Sequence, residues 1–213
     1  LNGHLNFQKK KYLEIALSQY RIIIKMKKLE ISGMNKNCAI ANSSTLNNKF
    51  GSPIIFPLLK VNYDVQTIIS YSMHHQKTVF VTKDGVAQGI GDNRNGEISG
   101  SLPKNILRKF TKIDFNYNSE HQYAVLSAVC GYNYTLYLIV ESNHRKKLAY
   151  SSSYFQSRYP IILDTGSSDP VSLFGGDSHC AAIDTNGEIL YIKGTTKVGH
   201  ISLPKGEIAI NVA

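Results

Sequence analysis

The chain has 213 residues, 42% of them apolar, and 24 Lys+Arg against 15 Asp+Glu give a net charge of +9. It can bury the core of one large domain or two small ones, and its 16 Gly and 6 Pro are scattered, which excludes collagen-like and low-complexity classes. Purely apolar runs such as Ile22-Ile23-Ile24, Ile54-Ile55-Phe56 and Leu136–Val140 are a few residues long and fall far short of the roughly 20 residues that a helix needs to cross a bilayer.

Residues 1–28 come first. They hold seven cations and one acid, Glu14, so +6 of the charge lies here and the rest of the chain is nearly balanced at +3. The high pI therefore describes a tail and not a nucleic-acid-binding face. Leu13, Ala16, Leu17, Tyr20, Ile23 and Ile24 recur at helical spacing, which predicts a short basic amphipathic helix. Such a helix suits a membrane surface or a partner. With Leu1 at its start and the first methionine at Met26, the segment reads more simply as an extension, non-native even, to a domain covering 29–213. Its apolar core is too short for a secretory signal.

Repeats govern the remainder. Leu29-Glu30-Ile31-Ser32-Gly33 opens a partial unit. Thr78-Val79-Phe80-Val81, then Lys83-Asp84-Gly85, then Val86-Ala87 predict a hairpin with a type I′ turn. Gly91-Asp92-Asn93-Arg94-Asn95-Gly96-Glu97-Ile98-Ser99 follows, leading to Leu102-Pro103-Lys104. A decayed unit begins at Leu126–Gly131 and continues in the strand Leu136–Val140. There the hairpin turn is replaced by a longer polar loop, Glu141 to Lys147. Val171–Gly175 repeats Leu126–Gly131, and Cys180–Gly187 with Ile189-Leu190 repeats the first hairpin. Gly194–Ser202 with Leu203-Pro204-Lys205 repeats Gly91–Lys104 as Gly-x4-Gly-x-Ile-Ser and Leu-Pro-Lys. The end, Glu207–Ala213, looks like the opening strand of one more unit, so the chain reads as truncated. Repeats near 58, 59 and 44 residues, each a small sheet that cannot bury its own faces, predict an all-β fold: a partial β-propeller of about three four-stranded antiparallel blades. An open stack leaves two uncovered faces, which predicts weak stability or self-association.

Lys83-Asp84-Gly85-Val86 through Gly91-Asp92-Asn93-Arg94-Asn95-Gly96-Glu97-Ile98 resembles the regulator of chromosome condensation (RCC1-like) repeat, whose blades carry Asp-Gly and then Gly-x-Asn-x-x-Gly-x-Leu-Gly. Residues 172–202 fit that pattern loosely and 126–153 in their first half. Ile90 stands where the family often has Trp, and Ser99 where it has the final Gly. The resemblance covers roughly 29–213. It implies the N-terminal portion of a β-propeller acting as a non-enzymatic protein-interaction module, with protein partners presented to its loops. The family name implies an alternative, guanine nucleotide exchange on the small nuclear GTPase Ran with chromatin contact.

Several motifs imitate chemistry. Asp164-Thr165-Gly166 resembles the loop of aspartic proteases, which need two carboxylates sharing a proton; no second Asp-Thr/Ser-Gly occurs in the chain. It reads as a polar turn between blades, closed by Pro170. Gly89-Ile90-Gly91-Asp92-Asn93 lacks the third glycine and the following helix of a phosphate cradle, and reads as an inter-strand turn. His74-His75, His179 and Cys180 are not at ligand spacing, so no metal or cofactor is expected. The three cysteines, Cys38, Cys130 and Cys180, are odd in number and unpaired in spacing, which suits reduced thiols in a cytoplasmic or nuclear compartment. Arg145-Lys146-Lys147 reads as a solvated loop tip, with contact to a phosphate or an acidic partner as the alternative. Tyr117, Tyr132, Tyr134, Tyr137, Tyr150, Tyr154 and Tyr159 read as strand and inter-blade packing rather than stacking platforms for bases.

Overall fold

The fold is seen in a computed structural model, which describes residues 12–17, 20–25, 28–33, 68–74, 76–115, 122–155, 157–192, 197–204 and 207–209. Every regular element among them is a β-strand. The expected N-terminal helix is therefore corrected: β1 (Tyr12–Leu17) and β2 (Tyr20–Lys25) pair antiparallel, with Leu17 opposite Tyr20, and β3 (Lys28–Gly33) adds to β2. The reason lies in an ambiguous pattern. Leu13, Ile15 and Leu17 also alternate with period two, and the triplet Ile22-Ile23-Ile24 is β-branched, which favours a strand. A lone helix of this length is marginal in water.

Three four-stranded antiparallel sheets follow, the blades of a partial β-propeller. The first contains β4 (Ile68–His74), β5 (Lys77–Thr82), β6 (Ala87–Asp92) and β7 (Ile106–Lys112). The second contains β8 (Tyr123–Cys130), β9 (Tyr134–Glu141), β10 (Lys146–Ser152) and β11 (Ile161–Leu163). The third contains β12 (Pro170–Gly175), β13 (Cys180–Asp184), β14 (Ile189–Ile192) and β15 (Val198–Ile201). Strands are hydrogen-bonded in chain order in each. The opening strands sit side by side across the blades: the Ser72 hydroxyl of β4 accepts the Cys130 N–H of β8 at 2.8 Å.

Burial explains the stacking. In β9 alternate side chains serve opposite neighbours: Tyr137 and Ile139 join Val79, Val81 and Ile98 of the first blade, while Leu136 and Leu138 join Ala182 and Leu190 of the third. A sheet covered on both faces reads as a continuous apolar run, which is what Leu136–Val140 is.

The hairpin turns differ from expectation in an informative way. Gly85 N–H bonds to Thr82 O at 2.9 Å and Thr82 N–H to Val86 O at 3.0 Å; Asp184, Gly187 and Glu188 repeat the pair of bonds at 3.1 and 3.1 Å. Only the glycine has positive φ, 73° at Gly85 and 79° at Gly187, so each is a three-residue loop ending in a left-handed residue and not a type I′ turn. The second blade holds the same turn. His144 N–H bonds to Glu141 O at 2.9 Å and Glu141 N–H to Arg145 O at 3.0 Å, with His144 at φ 65°. The polar loop expected there is thus no longer than its counterparts. Asn143-His144 stands where the others have Asp-Gly or Asn-Gly, and His tolerates the left-handed region at some cost. His144→Gly is accordingly expected to stabilise the fold by about 0.5–1 kcal/mol, the strain relieved less the added freedom of the unfolded chain. A melting temperature raised by roughly 2–4 °C would show it; a lowered one would contradict it.

The Gly-x4-Gly-x-Ile-Ser match also divides. Gly96–Ser99 lie in a loop where Ile98 is completely buried, whereas Gly199–Ile201 belong to β15, where Ile201 is 46% exposed. A short motif without its turn in register equates a core loop with an edge strand.

Candidate functional site

Antiparallel order puts the β4–β5, β8–β9 and β12–β13 connections at one end of the stack and the three hairpin turns at the other. At the first end a repeated contact ties each blade to the next. The Lys77 ammonium donates to the carbonyls of Gly131 (2.7 Å) and Tyr132 (2.9 Å), and the Tyr134 hydroxyl donates between those of Gly176 (2.8 Å) and His179 (2.6 Å). Gly131 and Gly176 each follow the opening strand of the next blade, and their own N–H groups bond to Tyr134 O and His179 O. An amine does in one interface what a phenol does in the other. A Cβ on Gly131 would lie 1.9 Å from the Tyr134 ring, so the close approach requires glycine. Beside these contacts His74 Nε2 meets Asp177 Oδ1 at 2.8 Å, joining the first blade to the third. The Tyr132 ring packs edge-on to His74 and is 56% exposed.

Burial pushes the Lys77 ammonium below its ordinary 10.5. The unfolded chain then holds that proton more tightly, so this group makes stability rise with pH from the lowered folded value up to 10.5. Buried thiols and phenols act in the opposite sense. Burial raises Cys130, Tyr134 and Tyr137 and pushes Tyr150 up to about 12 and Cys180 up to about 12. Their contribution is full below the unfolded values of 9.0 and 10.0 and fades as pH climbs through the folded ones. Urea midpoints of the wild type and Lys77→Met, compared across alkaline pH, should therefore show a rising difference confined to the interval below 10.5. The same difference at every pH would contradict it.

At the second end the Asp164-Thr165-Gly166 segment connects β11 to β12. Asp164 Oδ1 accepts the Gly166 N–H at 2.9 Å, Thr165 Oγ1 donates to Ser168 O at 3.0 Å, and Gly166 has φ 60°. The motif is thus organised as a self-bonded turn. Of the basic run, Arg145 donates to Gly166 O at 2.9 Å and Lys147 pairs with Glu141 at 2.7 Å. Arg145, Lys147 and Asp164–Gly166 border an open cavity of about 280 Å³ with both signs of charge on its wall. Asp184 Oδ1 accepts the N–H groups of Asn186 and Glu188, both at 2.9 Å, and holds the third turn much as the Thr82 hydroxyl holds the first.

Gly89–Asn93 forms strand β6 and its exit, where Gly91 has φ 104°. Asn93 is fully buried and its side chain makes four bonds. Its Nδ2 donates to Ser99 O (2.9 Å) and Pro103 O (3.1 Å), and its Oδ1 accepts from Ile98 (2.9 Å) and Ser99 (3.0 Å). The loop so shaped offers Glu97 O and Ile98 O to Thr135 and Tyr137 of the second blade at 2.8 and 2.7 Å. His179 is exposed and Cys180 buried, and His75, Cys38 and Tyr117 lie outside the described residues. Tyr134, Tyr137 and Tyr150 are buried in the stack, while Tyr132 and Tyr154 are exposed. Among the described residues no group of three His, Cys, Asp or Glu side chains is placed to hold a metal ion.

A second basic stretch is assembled by the fold. Lys104, Arg108, Lys109 and Lys112 are all exposed along β7 and the loop entering it. Spread over nine residues they form no run; the signal was the lack of any acid between Glu97 and Asp114.

No known family profile and no curated protein sequence matches the chain. Solved structures do. Human WBSCR16 is similar with a TM-score of 0.62 at 11% identity, over 93% of this chain and 55% of that one. Yeast RCC1 (Prp20), solved bound to Kap60, gives 0.61 at 14% identity, over 86% and 44%. Prp20p from Saccharomyces cerevisiae, described together with its binding to Gsp1p and histones, gives 0.59 at 13% identity, over 87% and 46%. These are RCC1-like β-propellers, and the likeness shows the fold. The chain spans about half the length of each.

Proposed function

We propose that the chain is a β-propeller protein-interaction module without catalytic activity of its own. The observation that carries this reading is where the polar side chains go. Lys77, Asn93, Tyr134, Tyr137 and Asp184 bind main-chain groups of their own or the next blade, leaving loops and rim as the accessible chemistry. Cross-linking in cell extract followed by mass spectrometry tests it: cross-links from rim and loop lysines such as Lys83 and Lys109 should converge on a few proteins. A pattern no different from that of an unrelated β-protein would overturn the reading.

A second reading draws on one observation, the likeness to Prp20p, which is described with binding to Gsp1p and histones. In that reading the chain contributes to nucleotide exchange on a Ran-like GTPase in a cytoplasmic or nuclear setting with chromatin contact. Release of labelled GDP from Gsp1p separates the two. The interaction-module reading expects the intrinsic rate to be unchanged by the chain, and a tenfold acceleration would favour exchange.

A further inference from the structure

We infer that the outer rim of the first blade, strand β7 with the loop before it, is a docking strip for an acidic extended peptide segment of a partner protein. This rests on the reading of the chain as a protein-interaction module. β7 is the last strand of its sheet, and its register with β6 is broken: Gly89 pairs with Thr111 and Gly91 with Leu107, so Arg108, Lys109 and Phe110 stand opposite the single residue Ile90. The bulge is anchored. The Thr111 hydroxyl donates to Lys109 O at 3.0 Å, the Phe110 ring packs 4.9 Å from Phe80, and Leu107 is buried in the core between blades. A bulge of this kind re-aims side chains, and here Lys109 is among those it turns outward. Lys104 and Lys112, both exposed, continue the positive charge on either side. The corresponding edge strands, β11 and β15, pair one for one with their neighbours and carry no lysine or arginine.

Lysines on an edge strand also guard against sheet-to-sheet aggregation. A single lysine achieves that, and neither other blade carries one on its outer strand, so a cluster of cations on an anchored bulge calls for an anionic partner. An extended peptide suits the strip better than a duplex nucleic acid. At about 3.3 Å per residue the seven residues of β7 run roughly 20 Å or a little more, the length of a six- or seven-residue acidic segment. Exposed Asp84 and Asp114 flank the far end, and a wide polyanion would meet them where a narrow strand would not. Phe110, turned against Phe80, offers no open ring for stacking a base.

The test is fluorescence anisotropy of the full chain with a labelled peptide of Glu-Thr repeats about twelve residues long, against the same peptide with Gln for Glu and a short DNA duplex. The expected result is binding of the Glu-Thr peptide alone, weakened about tenfold or more in Lys109→Glu/Lys112→Glu and by added salt, with an unchanged melting temperature. Failure to bind, binding indifferent to the double variant, or tighter binding of the duplex at the same residues would each overturn the inference. The extract cross-linking, repeated with the double variant, tells the two failures apart. Partners retained unchanged remove the strip and leave the module; partners absent with either protein remove the module itself.

Discussion

Asn93→Ala is expected to lower the unfolding free energy by about 3–5 kcal/mol, because it strands the buried N–H groups of Ile98 and Ser99 at once and leaves the space of a fully buried side chain empty. Among the described residues the Asn93 side chain is the one partner of the Ile98 and Ser99 N–H groups, and it also donates to the carbonyls of Ser99 and Pro103, at 2.9–3.1 Å throughout. Alanine replaces none of these bonds, and at zero exposure water has no route to the Ile98 and Ser99 N–H groups. The loss spreads beyond the loop. Ile98 and Leu102 belong to the core between the first two blades, and Thr135 and Tyr137 donate to the carbonyls of Glu97 and Ile98. Asn93→Asp makes the argument specific: it keeps the Oδ1 that accepts from Ile98 and Ser99, puts an acceptor in place of the Nδ2 donor opposite two carbonyls and buries a charge, so it too should be severely destabilising. Urea denaturation followed by tyrosine fluorescence measures the midpoint. Asn95→Ala, at an exposed position beside it, should change stability by less than about 1 kcal/mol. A midpoint for Asn93→Ala close to that of the wild type would show that the loop finds its shape without the amide.

Gly91→Ala should be as damaging for a different reason. Gly91 has φ 104°, a conformation closed to residues with a Cβ, and the added carbon would sit 2.2 Å from Gln76 O and 2.7 Å from Lys77 Cα. Those are backbone atoms of the adjacent strand, fixed by the Asp92 N–H bond to Gln76 O at 2.7 Å, so they cannot swing aside as a side chain would. Strain and overpacking together predict a loss of about 3–5 kcal/mol, or failure to fold. Gly166→Ala separates the two causes. Its φ of 60° is also left-handed, yet nothing lies within 4 Å of a Cβ there, so it should cost about 1 kcal/mol. Chemical denaturation of the two variants side by side gives the comparison; equal losses would mean that the clash at Gly91 relaxes.

The two positions show how far the sequence could be read. Gly91 and Asn93 stood out as members of a repeat motif, and the turn glycines Gly85 and Gly187 marked their hairpins, because a left-handed φ restricts residue type at a single position. Asn93 gave no hint that its amide would bridge Ile98, Ser99 and Pro103. The N-terminal strands were misread since one apolar stripe satisfied two periods, and His144 hid a turn because histidine is a rare occupant of the left-handed region. The basic rim of β7 escaped notice as well: its cations gather only when a bulge brings them to one edge.

By itself the sequence determined the all-β class of the repeats, the two hairpins with a turn glycine and the recurrence of about three small sheets. Alternation and turn chemistry act between residues a few positions apart, and no tertiary contact is needed to read them. Only the tertiary structure decided which blade each strand face serves, that Lys77 and Tyr134 capture the glycine carbonyls of the next blade, and where exposed cations gather at the rim. Lys77 reaches Gly131 across 54 residues and His74 reaches Asp177 across 103. At such separations the energy of a contact depends on how the whole stack excludes water, which local pattern does not encode.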